Sequence, residues 1–576
     1  MGLGELCNQS TETFVCHPST SGDTTSMQPA LALYLALCLG SVFAIWPLPR
    51  SLQQGSTPLL LSHDFAFEIS LSHPPGDLLS AVSRSQSYLQ NDKLERLVVG
   101  RGAADRAPIS GAKQISSLKL VLGGNRTMRS ITEEILLPLE ERDESYILDI
   151  PTNGAGATLQ ANSTLGLFRG LTTFGQLWYY SDGKLYTLEA PLHIEDSPVF
   201  SWRGLLLDTS RNFIPVDDIK RTFDAMSWVK LSTFHWHVVD SQSFPLQIPG
   251  FEELSQKGAY SADAVYTSGD VQELVSYAAE RGIDVVVEVD TPGHTAIISE
   301  SHPEFVACPQ FTPWATFAEE PPAGQLRLLP DAANFTANLF TAVAKMFPSS
   351  MISTGGDEVN VPCYEQDLEM QQYWNATGQN LNQTLSMFMQ ATQQSLIKAG
   401  KTPVTKEEMA LNDQLTIANN SLILVWKTSA DLPRVIERGF RVIFAASDYM
   451  YLDCGAGGWL GDDVNATSWC DPFKTWQKTY SADFLANLTD AQKSLVVGGQ
   501  HQLWTEQTSA ANLDPITWPR AASGAELFWS GPGGNVSAAL PRLHDVAYRM
   551  IQRGIKAIPL QPQWCALRPG LCDLTS

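Results

Sequence analysis

After Ser197-Pro198 the chain falls into one repeated rhythm, a short apolar strand run, a loop and an amphipathic helical stretch, and keeps it to the C-terminus. The strand runs are 203–208, 233–239, 284–289, 351–354, 402–405, 422–426, 441–446 and 495–503, and helical stretches at 216–230, 271–281, 339–347 and 381–398 separate several of them. Strands that are apolar on both faces and alternate with helices belong to a parallel sheet covered by its crossover connections. Eight such runs predict an α/β fold, a (β/α)8 TIM barrel over 198–576 that ends in a C-terminal disulfide loop. The βα-loops of such a barrel converge on one face, so chemistry is expected at the C-terminal ends of its strands.

A chain of 576 residues exceeds what one ordinary core organises, which leaves room for a second unit. Residues 46–197 carry short β-branched and aromatic runs, at 65–71, 117–122 and 146–150, with a helical stretch at 169–178. They predict a smaller α+β domain in front of the barrel. Upstream, an apolar run follows Met27. Read from that methionine, 27–45 resembles a secretory signal peptide, which makes 1–26 a non-native extension; the alternative is a signal anchor.

Cysteine usage agrees with export. Cys7, Cys16 and Cys38 lie in or before the apolar run, and the other six sort into local pairs. Cys454 with Cys470 and Cys565 with Cys572 close short loops, leaving Cys308 with Cys363 as the longer link, an arrangement suited to an oxidising compartment. Sequons at Asn125, Asn162, Asn334, Asn375, Asn382, Asn419, Asn465, Asn487 and Asn535 point the same way. The chain is therefore expected to be secreted, or held in a vacuolar or lysosome-like compartment, with no membrane attachment once the signal is removed. A net charge of −23 argues against a nucleic-acid partner, which demands clustered Lys and Arg. No phosphate-binding Walker loop is present, and no cofactor is expected.

The strand ends collect chemistry. Asp208-Thr209-Ser210-Arg211 puts a guanidinium in the first βα-loop, where its planar fork suits two sugar hydroxyls. In the second strand, alternation sets His235 and His237 on one face with Trp236 opposite, and Asp240 follows. An HxH pair in a barrel also raises a metal-dependent hydrolase, but no convincing further ligands follow, so no metal is expected. The run Glu288-Val289-Asp290-Thr291-Pro292-Gly293-His294 turns His294 towards the barrel mouth, within reach of Asp240. After the fourth strand, Gly355-Gly356 leads to the adjacent carboxylates Asp357 and Glu358. Like charges side by side resist joint ionisation, which divides labour between an acid and a charged neighbour. Trp426, Tyr451, Asp453, Trp504 and Glu506 then supply aromatic faces and oxygens, a mixture that fits a saccharide. Trp529 is expected to be core.

At these residues the chain resembles glycoside hydrolase family 20, the β-N-acetylhexosaminidases, from about residue 46 to the C-terminus. The segments RGLLLDTSRNF, HWHVVDSQSFP, VDTPGHT, GGDEV, YLDCG and WPRAASGAELFWS occur in the family's order, and 166–177 looks like the marker of its N-terminal domain. The cysteine pairs and Ser353-Thr354 look most like the fungal secreted members. The resemblance implies that Glu358 is the general acid/base and that Asp357 orients the substrate's acetamido group, whose carbonyl is the nucleophile. It further implies that Asp240 and His294 tune Glu358, that Arg211, Asp453 and Glu506 hold the terminal sugar, that Tyr451 bonds the acetamido carbonyl, and that Trp426 and Trp504 wall the pocket. An oligosaccharide substrate such as a chitin oligomer and a homodimer through barrel-edge loops are expectations of the same kind. One position departs: where the family commonly has a Trp before two acidic or amide residues, this chain has Lys406 before Glu407-Glu408. A cation there opposes a developing oxazolinium unless it turns away and pairs with Glu407 or Glu408, and it leaves a saccharide-binding relative with weak or no hydrolysis as the alternative.

Overall fold

A computed structural model describes residues 44–124 and 127–575. Residues 27–43 of the expected signal segment, the extension before it and the Asn125 sequon lie outside the described residues, whereas the last two positions of that segment, Ala44 and Ile45, are buried. The N-terminal part holds a six-stranded sheet, β1 (Ser51–Ile69), β2 (Lys113–Leu122), β3 (Tyr146–Ile150), β4 (Ala157–Ala161), β5 (Tyr179–Ser181) and β6 (Lys184–Asp196), in the order β1-β2-β4-β3-β6-β5 with β1 also pairing β6. Helix Thr164–Gln176 starts where the Ser163 side chain accepts the Gly166 N–H, satisfying one of its orphan donors. It lies so close to the sheet that a Cβ on Gly166 would stand 2.3 Å from the Ser145 carbonyl oxygen.

The barrel strands are β7 (Trp202–Asp208), β8 (Thr233–Val239), β9 (Asp284–Val289), β12 (Met351–Ser353), β13 (Thr402–Lys406), β14 (Leu422–Val425), β15 (Arg441–Phe444) and β16 (Val496–Leu503). Between β9 and β12 a short ribbon pairs β10 (Val306–Ala307) with β11 (Gln325–Leu326). The eight barrel strands close into a parallel ring, β16 pairing back onto β7, as the sequence rhythm predicts. Every residue of β7, β8 and β9 is buried, because helices cover the outside and side chains fill the inside. Outward residues such as Phe234, Trp236 and Val287 join the helices in the largest apolar cluster. Trp202, Val286, Val404, Leu424 and Ile443 form a separate cluster within the ring.

The two layers are welded by buried charge. Glu144, ahead of β3, accepts from Arg169 of the sheet-side helix at 2.7 Å and from Arg203 of β7 at 2.6 Å. Lys230 and Asp196 pair at 3.0 Å, and Trp529 donates its indole N–H to Asp196 at 2.9 Å while lying beneath the Lys230 ammonium. Trp529 is thus core, as expected, but core of the seam between layers. The three disulfides are Cys308–Cys363, Cys454–Cys470 and Cys565–Cys572. No helix of the described residues is long and apolar enough to cross a membrane.

Candidate active site

The predicted residues meet at the C-terminal ends of the barrel strands. Two glycines shape the turn after β12: Gly355 and Gly356 have φ of 65° and 108°, a region that side chains disfavour. A Cβ on Gly355 would lie 1.7 Å from Asp290 Oδ1. Glu358 also takes a positive φ, 54°, a strained choice of the kind kept where a side chain must be aimed. The turn splits the two carboxylates. Asp357 points inward, 4% exposed, while Glu358 faces His294, its Oε2 3.4 Å from Nε2.

A continuous line of polar contacts runs through the barrel to Glu358. Trp202 donates to Gln500 at 3.0 Å, and Gln500 meets His235 at 2.9 Å. Glu288 receives His235 at 3.0 Å and His237 at 2.6 Å, as well as the Ser353 hydroxyl. His237 reaches Asp240 at 2.8 Å, and Asp240 reaches His294 at 3.1 Å. Burial lowers the affinity of His237 for a proton, but hydrogen bonds to Asp240 and Glu288 reverse this and hold it at about 10. His294 is likewise pulled down by burial, but the Asp240 charge outweighs this and holds it well above the ordinary imidazole range. Asp240 itself is held well below the carboxylate range, burial being outweighed by Arg211 and His294. The sequence pairing of Asp240 with His294 is present, as a buried ion pair of an aspartate anion and an imidazolium.

Arg211 is a hub. Its guanidinium lies 3.1 Å from Asp208, 3.0 Å from Asp240, 3.3 Å from Glu320 and 3.4 Å from Glu506, and it stacks 5.1 Å from the Trp504 ring centroid. Trp504 in turn donates its backbone N–H to Asp453 at 3.4 Å, and burial pushes the Asp453 carboxyl up to about 7. Trp426 is fixed by the two glutamates after Lys406: Glu407 accepts its backbone N–H at 2.7 Å and Glu408 its indole N–H at 3.0 Å. Trp469, next to Cys470, stands edge-on to both Trp426 and Tyr451, at centroid distances of 5.6 and 5.5 Å.

Lys406 does not turn away. Its ammonium is buried inside the barrel mouth, 3.1 Å from Asp357 Oδ2, 3.4 Å from Glu288 Oε1 and 3.7 Å from Asp290 Oδ2. The expected pairing with Glu407 or Glu408 is replaced by these contacts because both glutamates are engaged by Trp426, and Glu408 also by Lys427 at 2.9 Å. Of the two neighbouring acids, Asp290 keeps its proton, since burial and the Asp357 charge both raise it. Asp357 stays ionised: burial raises it, but Lys406 and then His294 bring it to about 2.

His237, Glu288 and Asp290, and Asp290, His294 and Asp357, place ligand-type atoms close together. Both ring nitrogens of His235 and of His237 are already bonded to protein groups, however, and the Lys406 ammonium stands among the carboxylates. Those are contacts of an ion-pair network, with no lone pair of either imidazole left to ligate.

Sequence reasoning missed Glu288, Asp290, Glu320 and Trp469. For Glu288 and Asp290 the signal was present, since alternation along β9 sets them on the inward face with Val286. Glu320 sits in the long connection between β9 and β12, where no periodicity marks it.

A closed parallel barrel with a divided carboxylate pair and aromatic walls at its mouth is the architecture of a glycosidase. The description "Glycosyl hydrolase family 20, catalytic domain" matches residues 200–532, and "beta-acetyl hexosaminidase like" matches 45–177. The chain belongs to glycosyl hydrolase family 20. It is 36% identical over 458 residues to the chitooligosaccharidolytic beta-N-acetylglucosaminidase of Bombyx mori, covering 76% of each chain. A beta-hexosaminidase of Arthroderma benhamiae is 35% identical over 458 residues, 75% of this chain and 74% of that one. Among solved structures, a chitobiase of Flavobacterium johnsoniae superimposes with a TM-score of 0.70 at 24% identity, covering 89% of this chain and 73% of that one.

Proposed function

We propose that the protein removes terminal β-linked N-acetylhexosamine from the non-reducing end of oligosaccharides such as chitooligosaccharides, with retention and with the substrate's own acetamido group as nucleophile. The observation that carries the reading is the division of the Asp357-Glu358 pair: Glu358 opens to the cleft beside His294, and Asp357 is buried, ionised and aimed the other way. Asp357 accepts the acetamido N–H, which sharpens the carbonyl oxygen as a nucleophile. That oxygen attacks the anomeric carbon, the glycosidic bond breaks, its electron pair goes to the leaving oxygen, and Glu358 delivers the proton. Water then opens the cyclic oxazolinium, giving its proton back to Glu358 and restoring the acetamide with the β configuration.

The other roles are those that the family resemblance implies. His294, tied to Asp240, holds Glu358 in place; Arg211, Asp453 and Glu506 bind sugar hydroxyls; Tyr451 bonds the acetamido carbonyl; Trp426 and Trp504 wall the pocket. Three disulfides and sequon asparagines that are exposed, apart from half-buried Asn382, among the described residues support passage through the secretory route.

Release of chromophore from para-nitrophenyl N-acetyl-β-glucosaminide tests the reading. Glu358→Gln is expected to lower kcat by about 10²- to 10⁴-fold, and the first product seen by NMR is the β anomer. Saturable binding of chitobiose without turnover would instead assign a saccharide-binding relative, a reading that the Lys406 ammonium in the pocket favours over any other rival.

A further inference from the structure

We propose that Lys406 is a positioning residue for Asp357: its ammonium, buried in the barrel mouth, fixes the carboxylate that meets the substrate's acetamido N–H. The inference rests on the substrate-assisted reading above. Its geometry is specific to Asp357. Oδ2 is held by Lys406 at 3.1 Å, and the carboxyl of Asp290, which keeps its proton, supplies the other side-chain hydrogen bond to this carboxylate.

The surroundings also explain how a cation is tolerated beside a developing oxazolinium. Lys406 faces Asp357 from the turn after β12, Glu288 and Asp290 from β9 and its end, Tyr451 from the loop after β15, and the Trp504 ring at 5.4 Å. Asp357 faces Lys406, His294, Asp290 and Glu288, and its charge is felt by Glu408. With Asp290 protonated, the charges of Glu288, Asp357 and Asp240 are matched by those of Lys406, His237 and His294. The ammonium is therefore compensated where it stands, chiefly by Asp357 at 3.1 Å. Lys406 thus orients Asp357 and keeps it ionised in acid.

The experiment uses the full chain and the variants Lys406→Met, Lys406→Arg and Lys406→Trp, with kcat/KM for para-nitrophenyl N-acetyl-β-glucosaminide followed across acid pH. Lys406→Met is expected to lose on the order of 10- to 100-fold in kcat/KM, the worth of a hydrogen bond to a charged group. Its acid limb should also move up by about 1–3 pH units, because Asp357 loses its nearest opposite charge. Lys406→Arg should restore the limb. A folded Met variant with the wild-type rate and acid limb would overturn the proposal. So would an inactive wild type beside an active Lys406→Trp variant, which would show that the cation blocks the pocket; inactivity of both removes the substrate-assisted reading as well. If the Met variant does not fold, carbon-13 NMR of aspartate-labelled wild type decides. Asp357 should remain ionised down to about pH 3, and an ordinary titration near about 3.9 would overturn the proposal.

Discussion

At the residue scale, the site is set by side chains whose partners lie on other strands. Asp357, Glu358, Asp240, His294 and Arg211 were legible because each follows a strand run in a short motif. Lys406 was legible as a departure, but its direction was not, since the three carboxylates that draw it inward are brought together by barrel closure alone. Asp240 is the clearest place to perturb the line to Glu358. Asp240→Asn should lower the proton affinity of His294, which Asp240 raises more than any other charge. A folded-state imidazole raised above its usual range is cationic below that raised value. Its loss should therefore bring deprotonation into the range near pH 6–7, about the ordinary imidazole value. The expected outcome is a kcat that falls above that pH in the variant and not in the parent at the same pH, checked by pH–rate profiles and the His294 imidazole NMR shift. Gly355→Ala makes a second test of the turn: a Cβ 1.7 Å from Asp290 Oδ1 at φ 65° adds a clash to about 1–3 kcal/mol of backbone strain. It should lower both the melting temperature and kcat, since the displaced Asp290 also holds the Gly356 N–H at 2.9 Å.

At the scale of elements, periodicity read the barrel well and the N-terminal sheet less well. The run at 233–239 is β8 without change, and 381–398 is helix Leu381–Lys398. That helix is opened by reciprocal capping between Asn380 and Gln383, a local signal that needs no tertiary context. Helix Pro330–Met346 begins well ahead of the expected 339 because proline at its first turn, favourable there, resembles a loop in sequence. β1 spans Ser51–Ile69, but Gly55 and Pro58 broke its pattern and only 65–71 was expected. Pairing with both β2 and β6 sustains the strand where propensity does not. The helix that rides on this sheet is sensitive for the opposite reason, its closeness. Gly166→Ala would set a methyl against the Ser145 carbonyl, which as backbone cannot rotate aside. The expected cost is about 1–3 kcal/mol, read as a lower unfolding midpoint, with kcat unchanged at temperatures where the fold persists.

For the molecule as a whole, the seam between sheet layer and barrel is where sequence gave least warning, because Glu144, Arg169 and Arg203 are far apart along the chain and none lies in a motif with an evident partner. Two guanidiniums share one buried carboxylate there, and removing the carboxylate leaves both uncompensated. Glu144→Gln is expected to cost about 3–5 kcal/mol. The seam also makes stability depend on acid. Burial raises the Glu144 carboxyl, but the charges of Arg203 and Arg169 outweigh it and hold it at about 2, below its value in an unfolded chain. A depressed carboxyl contributes stability that is fully present above the unfolded value of about 4.3 and is lost as pH falls through the folded one. The size is about 3 kcal/mol for this one group. Urea midpoints should therefore drop between about pH 4.3 and about 2 in the parent. Glu144→Gln should start lower and show a shallower drop across the same window. A variant whose midpoint follows the parent's acid slope in parallel would show that the acid dependence arises elsewhere.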